Sequence, residues 1–251
     1  FFTLSENRNR IKKKKLAKKF SEERSILIQK NLPFNLTKSQ ERVLKEINVD
    51  LCSKKRMFRI IQGDVGSGKT IVSLLAISNV IESGYQCSLM GPTEILAKQH
   101  FELAKKIYKD TNFKINFLTG KTEIKDRKEI LKNLESGKTN LIIGTHALFQ
   151  KKIKFKKLGL IIIDEQHKFG VKQRIELSNK GGKNCDILLM SATPIPRTLI
   201  LAIYGDMDVS KLIEKPSNRK QIITLSKPEE KIYEVLKFIE EEIKSGNQIY
   251  W

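Results

Sequence analysis

The stretch Gly63-Asp64-Val65-Gly66-Ser67-Gly68-Lys69-Thr70 has the spacing Gly-x-x-x-x-Gly-Lys-Thr and lies between an apolar run and a helical pattern. Strand, glycine-rich turn and helix, in that order, form the setting in which this spacing binds phosphate. The glycines let backbone N–H groups point inward, and the helix N-terminus adds positive potential. A glycine-rich turn with a chance lysine is the alternative. The pattern predicts a phosphate site made by Gly63, Gly66, Ser67, Gly68, Lys69 and Thr70.

Two residues of this loop have individual roles in the prediction. Lys69 would reach the β- and γ-phosphates of a nucleotide. Thr70 would offer its hydroxyl to Mg²⁺, which prefers hard oxygen ligands and is often bound through substrate phosphates. The loop therefore predicts a nucleoside triphosphate and Mg²⁺ as ligands.

A second chemical feature is the apolar run Leu160–Ile163, which is followed directly by Asp164 and Glu165. Neighbouring residues at the end of a strand point in different directions, so the two carboxylates can take different tasks. We assign Asp164 to the metal ion and Glu165 to the attacking water. An acidic turn after a buried strand is common, and the upstream phosphate loop is what favours a functional role. His167 is predicted to sense the nucleotide, which makes the catalytic set Lys69, Asp164, Glu165 and His167.

Strand-like and helix-like segments alternate along the chain, with apolar runs at 86–90, 115–118 and 141–143. Such alternation predicts a parallel sheet covered on both faces, with ligands at the carboxyl ends of the strands. Small hydroxyl and glycine residues at those ends let a phosphate backbone approach. Strand-end turns use the same residues for structural reasons, so that alternative stays open. The predicted nucleic-acid contacts are Thr93, Thr119, Gly120, Thr145 and His146.

Upstream of the phosphate loop, Thr37 is predicted to cap a helix that begins at Lys38 and carries Gln40 in its first turn. A glutamine amide donates and accepts at once, so it matches the N6 and N7 atoms of adenine, and Phe34 could stack on the ring. A capped surface helix is the alternative. The position before the phosphate loop favours adenine recognition, so ATP is the expected nucleotide.

The run Leu188–Met190 predicts another buried strand, which ends in the hydroxyls of Ser191 and Thr193. Two prolines follow and force an irregular path before Arg197. Hydroxyls that hydrogen-bond the acid-bearing loop can shift when phosphate leaves. Ser191, Thr193 and Arg197 are therefore predicted coupling residues, with a turn cap as the alternative for Arg197.

The composition favours a polyanionic partner. The 251 residues include 48 Lys and Arg against 28 Asp and Glu, for a net charge of +20, and such charge attracts phosphate backbones. A lysine-rich composition by itself is the alternative.

Three cysteines without a Cys-x-x-Cys pair indicate neither a disulfide framework nor a zinc site, which fits a cytoplasmic setting. No apolar run approaches the roughly 20 residues of a membrane helix, so no membrane partner is expected.

Together these motifs resemble those of the superfamily 2 helicases, and more narrowly those of the RecG family of ATP-dependent DNA helicases. Departures are slight: Gly91, Lys168 and Ser191 stand where Ala, Arg and Thr are more usual. The related Mfd translocases share the last of the matching stretches, but usually carry Glu where Gln166 stands and lack the continuation Ala147–Gln150, which favours RecG. The stretches that carry the resemblance are 63–70, 91–100, 144–150, 164–171 and 192–198.

The resemblance implies an α/β, RecA-like lobe with a central, mostly parallel sheet between helices, binding ATP and Mg²⁺. It implies ATP-driven remodelling of branched double-stranded DNA, at stalled replication forks and Holliday junctions, in repair and recombination. Single-strand-binding protein is a further expected partner at forks, and the bacterial nucleoid is the expected location. The rivals are an Mfd-like translocase that displaces bound protein and, for this chain alone, a nucleotide- and DNA-binding module with negligible turnover.

The expected domain organisation follows charge and linker composition together with the resemblance. Residues 1–30 are a basic connector from an amino-terminal wedge domain, either as a packed helix, a nucleic-acid contact or a solvated linker. Residues 31–213 form the ATP-binding lobe and residues 214–220 a polar linker. Residues 221–251 begin a second RecA-like lobe, with strands at 222–225 and near Ile249. We therefore expect an internal piece of a longer chain.

Overall fold

The computed structural model describes residues 15–150, 152–165, 182–193, 207–214 and 223–251. The chain divides into two compact units, Phe1–Pro216 and Ser217–Trp251. Over the described ranges, no helix combines the length and the apolar character needed to cross a membrane. The larger unit contains the sheet and the motifs singled out above.

A parallel sheet, seven-stranded over the described residues, forms the larger unit. Its strands lie in the order β3-β4-β2-β5-β6-β1-β7, and all neighbouring pairs are parallel. The carboxyl ends of the strands therefore lie at one edge, where ligands of such sheets bind. The predicted parallel α/β fold is confirmed. The strands are β1 (Phe58–Gly63), β2 (Gln86–Met90), β3 (Ile115–Leu118), β4 (Leu141–Gly144), β5 (Leu158–Ile163), β6 (Asp186–Ser191) and β7 (Asp208–Leu212).

Helices cover both faces of the sheet. Alternate residues of a strand point to opposite faces, so Ile60 and Ile61 belong to two different buried apolar clusters. The Ile61 cluster contains Leu75, whereas the Ile60 cluster contains Leu134. The described α-helices of this unit are α1 (Glu23–Lys30), α2 (Lys38–Cys52), α3 (Lys69–Glu82), α4 (Glu94–Ile107) and α5 (Ile124–Ser136).

Helix α2 begins at the predicted residue because its first turn is capped reciprocally. Thr37 Oγ1 accepts from the Gln40 N–H at 3.2 Å, and Gln40 Oε1 accepts from the Thr37 N–H at 2.9 Å. This arrangement satisfies two helix-terminal donors at once. Helix α4 is capped by Thr93, whose Oγ1 accepts from the Leu96 N–H at 3.3 Å.

Several boundaries differ from the sequence prediction. Strands β5 and β6 start earlier than their apolar runs at 160 and 188, because Gly159 packs against Tyr85 and Asp186 is buried with paired charges. Strand β7 was not predicted, because only two of its five residues, Val209 and Leu212, are apolar; among the described strands it pairs with β1 alone.

The smaller unit contains α6 (Ile232–Lys244). The strands predicted at 222–225 and near Ile249 are wrong over the described residues, because 223–228 and 247–251 have no regular secondary structure. A strand needs a neighbour for its backbone hydrogen bonds, and residues 223–251 contain no second strand. The assignment of this unit to a second lobe stays a prediction.

The first described residues pack onto the larger unit at the amino end of β6. Lys15 Nζ and Lys18 Nζ donate to Asp186 Oδ2, at 2.6 and 2.5 Å, and both lysines are buried. Lys15 Nζ also donates to the carbonyl oxygens of Asp50 and Leu51. Lys15 and Lys18 are therefore packed on the fold, whereas Leu16 is 65% exposed. The assignment of residues 1–30 stays a prediction, and residues 1–14 lie outside the described ranges.

Candidate nucleotide site and nucleic-acid edge

The phosphate loop leaves β1 and turns directly into α3. Gly66 and Gly68 have φ angles of 75° and 88°, a left-handed conformation that favours glycine. A Cβ at Gly68 would lie 2.2 Å from Gln40 Nε2, so the available space also requires glycine there. Ser67 Oγ is buried and has no hydrogen-bond partner among the described residues. The loop thus holds an unpaired buried hydroxyl inside a turn that depends on glycine.

Lys69 is 9% exposed and directs its ammonium group back into the loop. Its Nζ donates to Gly63 O at 2.7 Å and to Asp64 O at 3.0 Å. Burial lowers the pKa of Lys69, while the carboxylates of Asp164, Glu165 and Asp64 oppose that shift. Two of those acids belong to the second predicted motif. The fold therefore brings the phosphate loop and the acid pair within electrostatic reach of each other.

The acid pair lies at the carboxyl end of β5, which is separated from β1 by β6. Asp164 N donates to Met90 O at 2.9 Å, and Asp164 Oδ1 accepts from the Glu165 N–H at 3.0 Å. Glu165 has a φ of 47°, a left-handed conformation that is uncommon for a residue other than glycine. Such conformations cost on the order of 1–3 kcal/mol and cluster at functional sites. The metal roles of Asp164 and of the half-buried Thr70 stay predictions.

His100 is a site residue that the sequence reasoning missed. Its Nε2 lies 2.8 Å from Asp164 Oδ2, and the two residues are 7% and 8% exposed. His100 belongs to the stretch 91–100, which carried the family resemblance without assigning this histidine a role. It shares the buried side of α4 with Ala97 and Ala104. The sequence did offer an indication, because a polar histidine falls three residues after Ala97 and four before Ala104, on the side of the helix that the small apolar residues predict to be buried.

Gln40 is buried, and both ends of its amide are engaged by the protein. Nε2 donates to Ser67 O at 2.8 Å, and Oε1 accepts from the Thr37 N–H. The amide would have to exchange these bonds to reach adenine, so adenine recognition stays a prediction. Phe34 is 40% exposed, and its predicted stacking on the base is likewise untested by the fold. Gln40 has a structural role that the sequence did not reveal, because it joins α2 to the phosphate loop.

The predicted nucleic-acid contacts follow the carboxyl ends of β2, β3 and β4. Thr93, Gly120 and His146 are exposed, whereas Thr119 and Thr145 are buried. Thr119 Oγ1 accepts from the backbone N–H two positions on, at 3.2 Å, so this hydroxyl stabilises its own turn. Contact with nucleic acid stays a prediction for all of them, and exposure favours the first three.

The predicted coupling residues are only partly described. Ser191 Oγ donates to Thr193 O at 3.1 Å, and the two hydroxyl oxygens also lie 3.1 Å apart. The hydroxyl of Ser191 therefore stabilises the turn that follows β6, and a role in coupling stays a prediction. His167 and Arg197 lie outside the described residues.

The site and the fold agree with a family model described as DEAD/DEAH box helicase, which matches residues 37–201. That range is well over half of the chain and includes the phosphate loop and the acid pair. The chain belongs to this DEAD/DEAH box helicase family.

Within that family the chain is similar to curated proteins named ATP-dependent DNA helicase RecG. The RecG of Streptococcus pneumoniae is 47% identical over 96% of this chain and 36% of that protein. The RecG of Aquifex aeolicus is 49% identical over 96% of this chain and 31% of that protein. The chain thus spans about a third of the length of the curated relatives it matches. The predicted resemblance to RecG-type helicases is confirmed.

Solved structures agree with this assignment. A structure of RecG bound to a three-way DNA junction has a TM-score of 0.86 at 40% identity, and the match covers 99% of this chain and 33% of that one. The DEAD-box helicase Mss116 bound to ssRNA and UDP-BeF has a TM-score of 0.63 at 21% identity, over 89% of this chain and 50% of that one. The second likeness concerns the fold alone. The predicted RecA-like fold is confirmed.

Proposed function

We propose that this chain is the ATP-binding lobe of an ATP-dependent DNA helicase or translocase that remodels branched DNA. The observation that carries the proposal is that the phosphate loop with Lys69 and the acid pair Asp164 and Glu165 lie at the same carboxyl edge of the parallel sheet, on strands separated only by β6. The similarity to RecG, including a relative solved with a three-way DNA junction, supports stalled forks and Holliday junctions as substrates. Repair and recombination are the corresponding processes.

The residues present fit ATP and Mg²⁺. Ser67 Oγ is buried without a partner among the described residues, and the Lys69 ammonium donates to the peptide oxygens of Gly63 and Asp64. Thr70 and Asp164 are hard oxygen donors of the type that Mg²⁺ prefers when phosphates complete its shell. When bound, Mg²⁺ neutralises charge on the β- and γ-phosphate oxygens.

The residues of the chain divide the work of hydrolysis among them. Lys69 exchanges the carbonyl oxygens of Gly63 and Asp64 for phosphate oxygens, which pair its buried positive charge with negative charge. The Glu165 N–H donates to Asp164 Oδ1 and holds that carboxylate in place. Glu165 orients the attacking water and accepts its proton.

DNA binding is assigned to the exposed part of the sheet edge. Thr93, Gly120 and His146 are accessible there, and the net charge of +20 favours a phosphate backbone. We extend the proposal to single-strand-binding protein as a partner at forks and to the nucleoid of the bacterial cytoplasm as the location. Residues 1–30 are the connector, residues 31–213 the lobe, residues 214–220 the linker and residues 221–251 the start of a second lobe.

The experiment that tests the proposal is ATPase of the full-length gene product with and without forked DNA, for wild type and Glu165→Gln. Loss of the carboxylate base should lower turnover by roughly 10²–10⁴-fold while ATP still binds, because general base catalysis contributes about that much. Glu102→Gln, on the exposed side of α4, is the matched control and should leave turnover unchanged.

The outcomes separate the rival functions. If the ATPase rate is unchanged by forked DNA and by Glu165→Gln, only a nucleotide- and DNA-binding module remains as the function. DNA-stimulated turnover without unwinding of a synthetic fork would instead favour an Mfd-like translocase that displaces bound protein. Arginine fingers in related sites add roughly 10³–10⁵ in rate, so a chain that lacks one binds nucleotide with little turnover.

A further inference from the structure

Asp164 is held from two sides, and His100 provides one of them. Asp164 Oδ1 accepts from the Glu165 N–H at 3.0 Å, within its own loop. Asp164 Oδ2 lies 2.8 Å from His100 Nε2, on a different element. Both side chains are nearly buried, so water competes little for this hydrogen bond. The orientation of the carboxylate therefore depends on the position of α4 as well as on the acid-bearing loop.

Helix α4 reaches from the exposed sheet edge to that carboxylate. It begins after its cap Thr93, which is exposed, and His100 lies seven residues further on, about 10 Å along the helix axis. The start of α4 is packed tightly on the end of β2, because a Cβ at Gly91 would lie only 2.8 Å from Ala97 N. Close packing of this kind transmits displacement instead of absorbing it. A shift of the first turn of α4 would therefore move His100.

We propose that His100 is a positioning residue that orients Asp164 toward Mg²⁺, and that α4 thereby links nucleic acid bound at its first turn to the ATP site. The link to nucleic acid rests on the proposed function, whereas the orientation of Asp164 does not. Carboxylates that ligate metals are held by hydrogen bonds from outer groups, and losing such a group costs roughly 10–100-fold in metal affinity or activity.

The test compares His100→Leu, His100→Gln and the control Gln99→Ala in the full-length gene product. Leucine fills the space without a donor, glutamine keeps a donor on a side chain of similar reach, and Gln99 is the exposed neighbour on α4. His100→Ala serves as a second donor-free variant if the leucine variant unfolds. The readouts are the Kd of a fluorescent ATP analogue with Mg²⁺ and with EDTA, the Kd for forked DNA, and ATPase with and without that DNA.

We expect His100→Leu to raise the nucleotide Kd roughly tenfold or more with Mg²⁺, with little change in EDTA, and to lower DNA stimulation of the ATPase. The Kd for forked DNA should stay near that of wild type. His100→Gln should recover most of both losses, and Gln99→Ala should match wild type.

Equal losses in Mg²⁺ and in EDTA, or no loss at all, would overturn the positioning role. Full DNA stimulation in His100→Leu would overturn the link through α4. If forked DNA does not stimulate the ATPase of the wild type, the proposed function is wrong. The nucleotide Kd with Mg²⁺ and with EDTA would still decide whether His100 positions Asp164.

Discussion

Glu165, Gly66 and Gly68 adopt left-handed backbone conformations within the two loops that face each other across β6. For the glycines this conformation is easily reached, whereas for Glu165 it stores strain. The strain is compatible with a carboxylate that must be aimed at one position. At this scale, function depends on backbone dihedrals as much as on side-chain chemistry.

Replacing Gly68 by alanine tests the geometry of the phosphate loop. The added Cβ would lie 2.2 Å from Gln40 Nε2 in a residue whose φ is 88°. Gly84→Ala is the matched control, because Gly84 has a φ of 76° and its Cβ would meet nothing within 4 Å. Strain alone costs roughly 1–3 kcal/mol, so we expect Gly68→Ala to lose more stability than Gly84→Ala and also to bind ATP more weakly. Denaturant unfolding and nucleotide titration measure the two effects, and equal behaviour of the variants would contradict the contact with Gln40.

The cysteines provide a second residue-scale prediction. Burial raises the pKa of all three thiols, of Cys185 to about 12 and of Cys87 well above its usual range, but of the three only Cys52 is exposed to a reagent. A thiol reagent at pH 8 should therefore modify Cys52 in the native protein and all three cysteines after unfolding. Cys52→Ser should remove the native reaction, and fast native modification of Cys185 would show that its burial is wrong.

The same shift of Cys185 has a defined effect on stability. Its thiol ionises near pH 9.0 when unfolded and near 12 when folded, so the unfolded state loses its proton first as pH rises. The contribution of Cys185 to folding stability is therefore constant below pH 9.0 and decreases between 9.0 and about 12. A Cys185→Ala variant should lack that part of the alkaline decrease in the free energy of unfolding.

At the scale of elements, α2 is a brace for the phosphate loop. The residue that completes its capping box, Gln40, also donates to Ser67 O. A helix cap and a ligand loop therefore share one amide. Whatever displaces the first turn of α2 alters the support of the loop as well.

Thr37→Ala should accordingly affect both stability and nucleotide binding. Loss of the cap oxygen costs about 1 kcal/mol in typical helices. The freed Gln40 amide should also weaken ATP binding, because its hydrogen bond to Ser67 depends on the same turn. Thr37→Ser keeps the oxygen and should behave like wild type in thermal unfolding and in nucleotide titration. If the alanine variant loses stability but binds ATP normally, the brace is not required.

At the scale of the whole molecule, residues 15–18 join the segment before α1 to the amino end of β6. Lys15 and Lys18 share one carboxylate, Asp186, which also accepts from the Met57 N–H through Oδ1 at 2.7 Å. Burial lowers the pKa of Lys15, which its attraction to Asp186 opposes. This charge cluster lies at the opposite end of β6 from Ser191, so it stabilises the lobe without taking part in the site.

Asp186→Asn should be strongly destabilising. Removing one partner of a buried ion pair costs roughly 3–5 kcal/mol, because the remaining charge is uncompensated. Denaturant unfolding measures the loss, and Glu102→Gln is the control, since its exposed pair with Lys105 contributes about 0–1 kcal/mol. Combining Asp186→Leu with Lys15→Met and Lys18→Met should restore most of the stability. A wild-type midpoint for Asp186→Asn alone would contradict the burial of the two lysines.

Much of this molecule could be predicted from local patterns in its sequence. The phosphate loop, the acid pair after β5, the cap at Thr37 and the alternation that makes a parallel sheet each depend on residues within one turn, strand or helix. Those patterns also carried the resemblance to RecG-type helicases. Strand β7 was not predicted, because a short edge strand needs no apolar run. The strand predicted at 222–225 was wrong, because its apolar pattern has no neighbouring strand to pair with in the described residues.

Contacts between distant segments were decided only by the tertiary structure. His100 and Asp164 are 64 positions apart, Gln40 and Ser67 are 27 apart, and Lys15 and Asp186 are 171 apart. Sequence periodicity predicts which side of a helix or strand is buried, but not which polar group of the facing element it will contact. That pairing depends on the register of the sheet and on how each helix packs across it, and these are set by the whole core at once.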